Sequence, residues 1–244
     1  SAASDVYKRQ QQETYLMQNQ QPSTLKEIRV HGTQDFPCAF YQTGTRIRGN
    51  MVKHHWHEEV ELLYFSGGEF CLEINMERFE ISEECFYFIN PGELHSISVE
   101  KNGGCVENAV VFHMDMLSSA YALDQIQTNL IQPVQNGSIQ FPRCLRKNEP
   151  AFEPVRKSYE EIRNVFGGDS FRENYYDGEA VTDDITRQLF IKSALLRILA
   201  VLSANNLFEV TEKNHDHRIE TIKTTLTYIP VSYTHLRAHE TLRH

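Results

Sequence analysis

A mainly β domain, built as a small barrel or jelly roll and followed by helices, is what this chain predicts. Three observations carry that expectation. Residues 25–115 break into short apolar runs with turn residues between them, the rhythm of a compact antiparallel barrel. From about residue 150 the apolar period lengthens from that of a strand to that of a helix. The chain has 244 residues, 40% of them hydrophobic and 23% charged, which is enough to bury a substantial core in one or two domains.

The elements follow in order. Leu62–Phe65 and Cys85–Ile89 are short runs of aromatic and branched residues, read as strands. Phe70–Ile74 and Arg78–Ile81 alternate around Asn75-Met76-Glu77 and predict a hairpin. Gly67-Gly68, Pro91-Gly92 and Asn102-Gly103-Gly104 punctuate the run, and Ala109–Phe112 is expected to close it. Residues 116–150 are mixed, with turns at Gln132-Pro133 and Asn136-Gly137 and one further strand at Ile139–Phe141. Val155, Tyr159, Ile162 and Phe166 then recur at helical spacing across 153–166, and Gly167-Gly168 ends that helix. Residues 171–181 read as a loop.

The strongest helix is 182–205, with Thr182 or Asp183 as its cap. Ile191, Leu195, Ile198 and Leu202 form one apolar stripe, and Leu189, Leu196 and Leu199 form another. A helix apolar on two faces packs on two sides, either wholly within its own core or with one side on a second subunit. Asp216 can cap a last helix from about 217 to 229, carrying Ile219, Ile222, Leu226 and Ile229 on one face.

Composition excludes several classes. No apolar run reaches the roughly 18 residues that a bilayer span requires, and residues 1–25 are polar and rich in Gln, without the apolar stretch of a signal peptide. Five scattered cysteines (Cys38, Cys71, Cys85, Cys105, Cys144) form no C-x-x-C pair, which favours free thiols and a cytoplasmic location. A net charge of −9 gives no bulk field for DNA phosphates. Both ends resemble translated sequencing adapter: Ser-Ala-Ala-Ser-Asp-Val-Tyr-Lys-Arg-Gln at 1–10, and Val-Ser-Tyr-Thr-His-Leu-Arg-Ala-His-Glu-Thr from 231 onward. Residues 1–10 and about 230–244 are therefore set aside as artefact, with His235, His239 and His244, and 11–229 is expected to be a fragment.

One cluster of residues carries chemistry. His55, His57 and Glu61 are separated by two and four residues, so on an extended strand they share a face. Asn90-Pro91-Gly92-Glu93-Leu94-His95 follows about thirty residues later, and a strand ending in its Pro-Gly turn brings His95 beside them. Three imidazoles and a carboxylate suit three readings. One is a 3-His/1-Glu site for Fe, Mn, Ni or Zn with positions left open for substrate. Another is a pocket that hydrogen-bonds a small polar effector. The last is a set of side chains that satisfy only each other and the backbone. Trp56 is read as packing on the opposite face, His54 as exposed and Glu93 as a cap of the turn before His95. His215 and His217 repeat the His-x-His spacing at a helix start and read as linker. Arg46, Arg48 and Lys53 read as a solvated strand end.

These residues also carry a family resemblance. Gly49, His55, His57, Glu61 and Gly67 or Gly68 resemble the first cupin motif, and Gly92 with His95 resembles the end of the second. Glu83-Glu84 stands where that motif opens with Gly-Asp, and Pro91 directly precedes Gly92 instead of lying two residues before it. The form His-Trp-His-Glu-Glu-Val-Glu-Leu-Leu-Tyr with Asn-Pro-Gly-Glu-Leu-His-Ser is similar to the N-terminal sensor domains of AraC-type transcription regulators.

The resemblance implies a polar arm at 11–24, a cupin-like (jelly-roll) β-barrel at 25–150, an α-helical dimerisation region at 151–213, and the start of a truncated helix-turn-helix domain at 214–229. It implies effector-responsive transcription control. A small molecule binds at His55, His57, Glu61 and His95, and a homodimer forms through Leu189, Ile191, Leu195, Leu196, Ile198, Leu199 and Leu202. DNA is a partner of the full-length parent but not of this chain, and no membrane is involved. No cofactor and no catalysis are expected on that reading. The alternative is a metal-dependent cupin enzyme of the dioxygenase or sugar-phosphate isomerase type, using the same four residues.

Overall fold

A computed structural model describes residues 25–45, 48–101, 105–121, 123–167, 184–211, 221 and 223. The chain divides into two compact units, and Glu27–His215 carries the elements that follow. The two terminal artefact segments, the arm at 11–24, Arg46, the turn at 102–104, the loop at 171–181, Thr182, Asp183, His215, His217 and the helix expected at 217–229 lie outside the described residues, save isolated positions 221 and 223.

Eleven strands are described: β1 (Cys38–Thr45), β2 (Gly49–His55), β3 (Val60–Phe65), β4 (Phe70–Ile74), β5 (Glu77–Ile81), β6 (Cys85–Ile89), β7 (His95–Val99), β8 (Cys105–Phe112), β9 (Ile139–Gln140), β10 (Cys144–Arg146) and β11 (Glu209–Val210). They form a five-stranded sheet in the order β1-β8-β3-β6-β10, a four-stranded sheet in the order β2-β7-β4-β5, and the small pair β11-β9. Every pairing is antiparallel. This corrects one expectation: the described strands form separate sheets, and no ladder closes them into a barrel.

Alternation decides which side chains lie between the two large sheets. Leu63 and Phe65 of β3, Tyr87 and Ile89 of β6, and Ala109 and Val111 of β8 meet Phe70, Leu72, Ile97 and Val99 of the smaller sheet in one buried cluster. The other face of the five-stranded sheet presents Leu62, Phe86, Phe88 and Val110 to the helices. β3 and β6 are covered on both faces, so they read as continuous apolar runs. The β4–β5 hairpin turns through Asn75 (φ 51°) and Met76 (φ 70°), the left-handed pair that suits a two-residue hairpin loop.

Among the described residues three α-helices are bounded: α1 (Gln132–Gln135), α2 (Phe152–Val165) and α3 (Ile185–Ala204). α2 buries Phe152, Val155, Tyr159 and Ile162 against the sheet, where the Tyr159 ring lies 5.5 Å from that of Phe86. Asp184, one residue beyond the expected caps, starts α3 by accepting from the Thr186 and Arg187 amides at 2.9 and 3.3 Å. Arg197 of α3 meets Glu161 of α2 at 2.8 Å. Ile191, Ala194, Leu195, Ile198, Leu199 and Leu202 are buried on one side of α3. Ile185, Leu189, Phe190 and Leu196 are exposed on the other. Of the seven residues expected at a dimer contact, five thus sit in the core of their own chain, leaving Leu189 and Leu196 on the surface. Among the described residues no helix is long and apolar enough to cross a membrane.

Candidate metal centre

The four expected residues do converge, though not as strand alternation implies. β2 ends at His55 and β3 begins at Val60, so His57 lies in the corner between two strands that belong to different sheets. His55 pairs directly with His95, the first residue of β7, after two register shifts in β2. Glu61 points inward from β3, the central strand of the larger sheet, with Ile89 and Val111 as its neighbours. The corner therefore brings together side chains that a single straight strand would hold in a row.

The turn before His95 is fixed on several sides. The Gly92 amide donates to the His57 carbonyl at 2.7 Å, and the Asn75 amide donates to that of Leu94 at 2.7 Å. Glu93 Oε2 accepts from the Asn90 amide at 2.8 Å, which is the capping role expected of it. Asn90 Oδ1 in turn accepts from the Phe141 amide at 2.8 Å. Gly92 takes φ +80°, which a side chain would strain.

Each imidazole is oriented the same way. Nδ1–H of His55 donates to the Lys53 carbonyl at 2.8 Å, that of His57 to the Glu59 carbonyl at 3.2 Å, and that of His95 to the Glu93 carbonyl at 2.9 Å. A carbonyl only accepts, so Nδ1 carries the proton in all three rings and Nε2 is left as the donor atom facing the centre. His57 Nε2 lies 3.3 Å from Glu61 Oε2, and His95 Nε2 lies 3.0 Å from the same oxygen. The His95 nitrogen is buried and makes no aligned hydrogen bond. One donor atom from each of His55, His57, Glu61 and His95 lies within 4.8 Å of every other.

That arrangement needs a positive species among its lone pairs, either protons or a cation. Metal–nitrogen and metal–oxygen bonds of about 2.1 Å at right angles place neighbouring donor atoms roughly 3 Å apart. The separations and the orphaned His95 nitrogen therefore fit a divalent ion. Charge supports the fit. Burial pushes the Glu61 carboxyl up, but the His57 and His95 rings beside it outweigh that and hold it well below the usual carboxylate range. Burial, reinforced by His95, pushes His55 down to about 4, so its Nε2 lone pair is free at neutral pH. Burial also pushes His57 down, yet Glu61 outweighs it and the ring ends raised.

Sequence reasoning missed several neighbours. Glu27 Oε2 reaches His55 Nε2 at 3.4 Å and His31 Nε2 at 3.5 Å, while His31 Nδ1 lies 2.8 Å from the Tyr41 hydroxyl. Glu107, on the inner face of β8, is buried at 2% exposure. Arg143 holds Glu93 from behind the turn. Of these, only Glu107 had a local signal: a carboxylate in step with the inward-facing Ala109 and Val111. Of the other residues singled out, His54 is exposed and meets Glu73 at 3.0 Å, Trp56 is half-buried, and Lys53 and Arg48 are exposed. A cavity of about 60 Å³ adjoins the cluster, with Thr43, His57, Glu61, Glu107 and Ala109 among its lining.

Two inward sheets with a His/Glu site at one end define a ligand-binding domain. Residues 40–164, a little over half of the chain, match the family model for the AraC-like ligand binding domain, and the chain belongs to that family. It is 31% identical over 114 residues to YdeC, an uncharacterized HTH-type transcriptional regulator of Bacillus subtilis (strain 168). The match takes in 43% of this chain and 39% of that regulator, so the chain spans well under half of its relative. Among solved structures, it is similar to a predicted oxalate decarboxylase of Thermotoga maritima at 25% identity and TM-score 0.29, covering 30% of this chain and 64% of that one. A cupin protein of Bacteroides fragilis gives 16% identity and TM-score 0.30 over 36% of this chain and 75% of that one.

The expectation that catalysis is absent is corrected here. Four converging side chains that could ligate a metal, three of them buried, do not allow an outright exclusion of enzyme chemistry.

Proposed function

We propose that this domain is a metal-dependent cupin site, at which a divalent transition metal held by His55, His57, Glu61 and His95 meets a small oxygen-bearing ligand. The observation that carries the reading is the common orientation of the three imidazoles, each with Nδ1 committed to a backbone carbonyl and Nε2 turned inward. Three neutral nitrogens and one carboxylate suit Fe, Mn, Ni or Zn and leave coordination positions for a ligand. A bound metal would supply Lewis acidity or, for Fe and Mn, redox chemistry, which gives the site the capacity for dioxygenase or isomerase reactions.

The chain's own residues do the rest. Glu61 Oε2 lies beside Nε2 of both His57 and His95 and supplies the one carboxylate of the set. The backbone carbonyls of Lys53, Glu59 and Glu93 hold the tautomers. Buried aliphatic residues around the cavity, among them Ala109 and Val111, limit water at the site. Metal analysis of protein made without a His tag tests the reading. Near-stoichiometric transition metal supports it. Protein that is isolated empty and takes up none of Mn²⁺, Fe²⁺, Co²⁺ or Zn²⁺ in equilibrium dialysis sinks it.

A second reading has its own support in the family match and the regulator relative. In it the ligand is an effector, and its differential affinity for two arrangements of the domain biases a DNA-binding partner domain of a longer parent. Two copies associate through the exposed side of α3. A mobility-shift titration separates the parts: this chain alone should bind no operator, and sequence-specific binding would overturn that assignment.

A further inference from the structure

Glu107 has no role in holding the metal site, and its placement calls for one. It lies on β8 in step with Ala109 and Val111, all three on the inner face of the larger sheet. Val111 is the direct neighbour of Glu61 on β3, so Glu61 and Glu107 stand at the two ends of one inward row. Ala109 is the small residue between them, and both carboxyls line the same cavity. The rise of a strand makes the row roughly 13 Å long between α-carbons. Thr43, the cross-strand neighbour of Glu107 on β1, lines the same end.

Glu107 is 2% exposed, and its Oε1 has no hydrogen-bond partner. A buried polar atom left unpaired is destabilising, so such an atom facing a cavity is best explained by something that enters the cavity. We infer that Glu107 selects the ligand: the cavity takes a small hydroxy-acid that meets the metal site with its acid end and presents a further hydroxyl to Glu107 and Thr43. Burial, with the charge of Glu61 behind it, pushes the Glu107 carboxyl well above its ordinary range. An uncharged carboxyl both donates and accepts, which is what a ligand hydroxyl needs, whereas two ionised carboxylates in one cavity would call for a cation. The inference rests on the metal-site reading for the acid end only.

The test uses three probes, lactate, glycerate and threonate, which carry zero, one and two hydroxyls beyond the 2-hydroxy acid. Calorimetric titration into Mn²⁺-loaded wild-type protein, and into protein stripped with a chelator, gives the affinities. The expected result is an affinity that rises about tenfold for at least one added hydroxyl. Glu107→Leu should flatten the series, so that glycerate and threonate bind no tighter than lactate does to the same variant. Glu107→Gln, which keeps a donor and an acceptor, should retain the preference within about threefold. A flat series in wild type, an unchanged series in Glu107→Leu, or no binding by any probe overturns the inference. Failure of the metal-site reading looks different: affinities that are the same with and without Mn²⁺, with the hydroxyl preference still dependent on Glu107.

Discussion

Arg143 grips both carboxylate oxygens of Glu93, Nη1 to Oε2 at 2.7 Å and Nη2 to Oε1 at 2.5 Å. The pair stands behind the His/Glu cluster. Glu93 is 7% exposed, and its backbone carbonyl receives the Nδ1–H of His95. Burial pushes the Arg143 guanidinium down, but Glu93 outweighs it and the group ends raised. Arg143→Met leaves a buried carboxylate without its partner, a loss of about 3 kcal/mol. The turn that aims His95 loosens with it, and removing such outer support lowers metal affinity about 10- to 100-fold. Denaturant melts and Co²⁺ titration check the two effects separately. A variant that melts like wild type and binds Co²⁺ equally well contradicts the coupling.

An exposed histidine near the end of β2 and a buried one at the start of β7 offer an internal control. His95 is 1% exposed in the cluster, whereas His54 faces solvent with Glu73 and Ser96 beside it. His95→Ala should reduce affinity for Mn²⁺ or Co²⁺ at least about 100-fold, because it deletes one of four ligands from a preformed set. His54→Ala should change it less than about threefold. Equal losses in both variants would mean that binding comes from loose surface histidines.

The fold was legible where a strand is covered on both faces. Cys85–Ile89 is apolar at every position because sheet packs on one side and helix on the other, and the structure assigns β6 to those same residues. The Phe70–Ile81 hairpin was equally plain from its alternation around Asn75-Met76. β1 and β2 were not legible, since CAFYQTGT and GNMVKHH mix polar and apolar residues without a clean period. The spacing points to the convergence of the four His/Glu side chains for a partly wrong reason. Their spacing places His55, His57 and Glu61 on one strand face, yet a corner between two sheets gathers them. Glu27 and Arg143 escaped notice because they reach the site from 28 residues before His55 and 50 residues beyond Glu93, distances at which no local pattern exists.

Glu107 makes a prediction about pH. Its folded carboxyl titrates well above the ordinary value of 4.5, pushed up by burial and then by Glu61. Above pH 4.5 the unfolded chain has lost this proton while the folded chain keeps it. Folding then binds a proton, so this group's contribution to stability falls as pH rises from the unfolded value to the folded one, and is level beyond. Glu107→Gln cannot ionise and escapes that fall. The melting temperature of the variant relative to wild type should climb between pH 4.5 and 8 with a chelator present. A difference that stays constant over that range would show that Glu107 titrates normally.

The outer side of α3 makes the last prediction. Ile185, Leu189 and Leu196 recur at four and seven residues, so they lie along one stripe, and they are 70%, 61% and 43% exposed. A stripe of this kind on a single chain suits a second copy of the same helix, an isologous contact in which the same patch is used by both copies. Leu189→Asp together with Leu196→Asp should convert a dimer to a monomer in sedimentation equilibrium while leaving the melt of the monomer close to that of wild type. Ile191→Asp is the contrast. Ile191 is fully buried against its own chain, so a charge there should cost about 3 kcal/mol or more and unfold the domain before it separates two copies. A wild-type chain that sediments as a monomer at all concentrations, or a double variant that stays dimeric, would remove α3 from the contact.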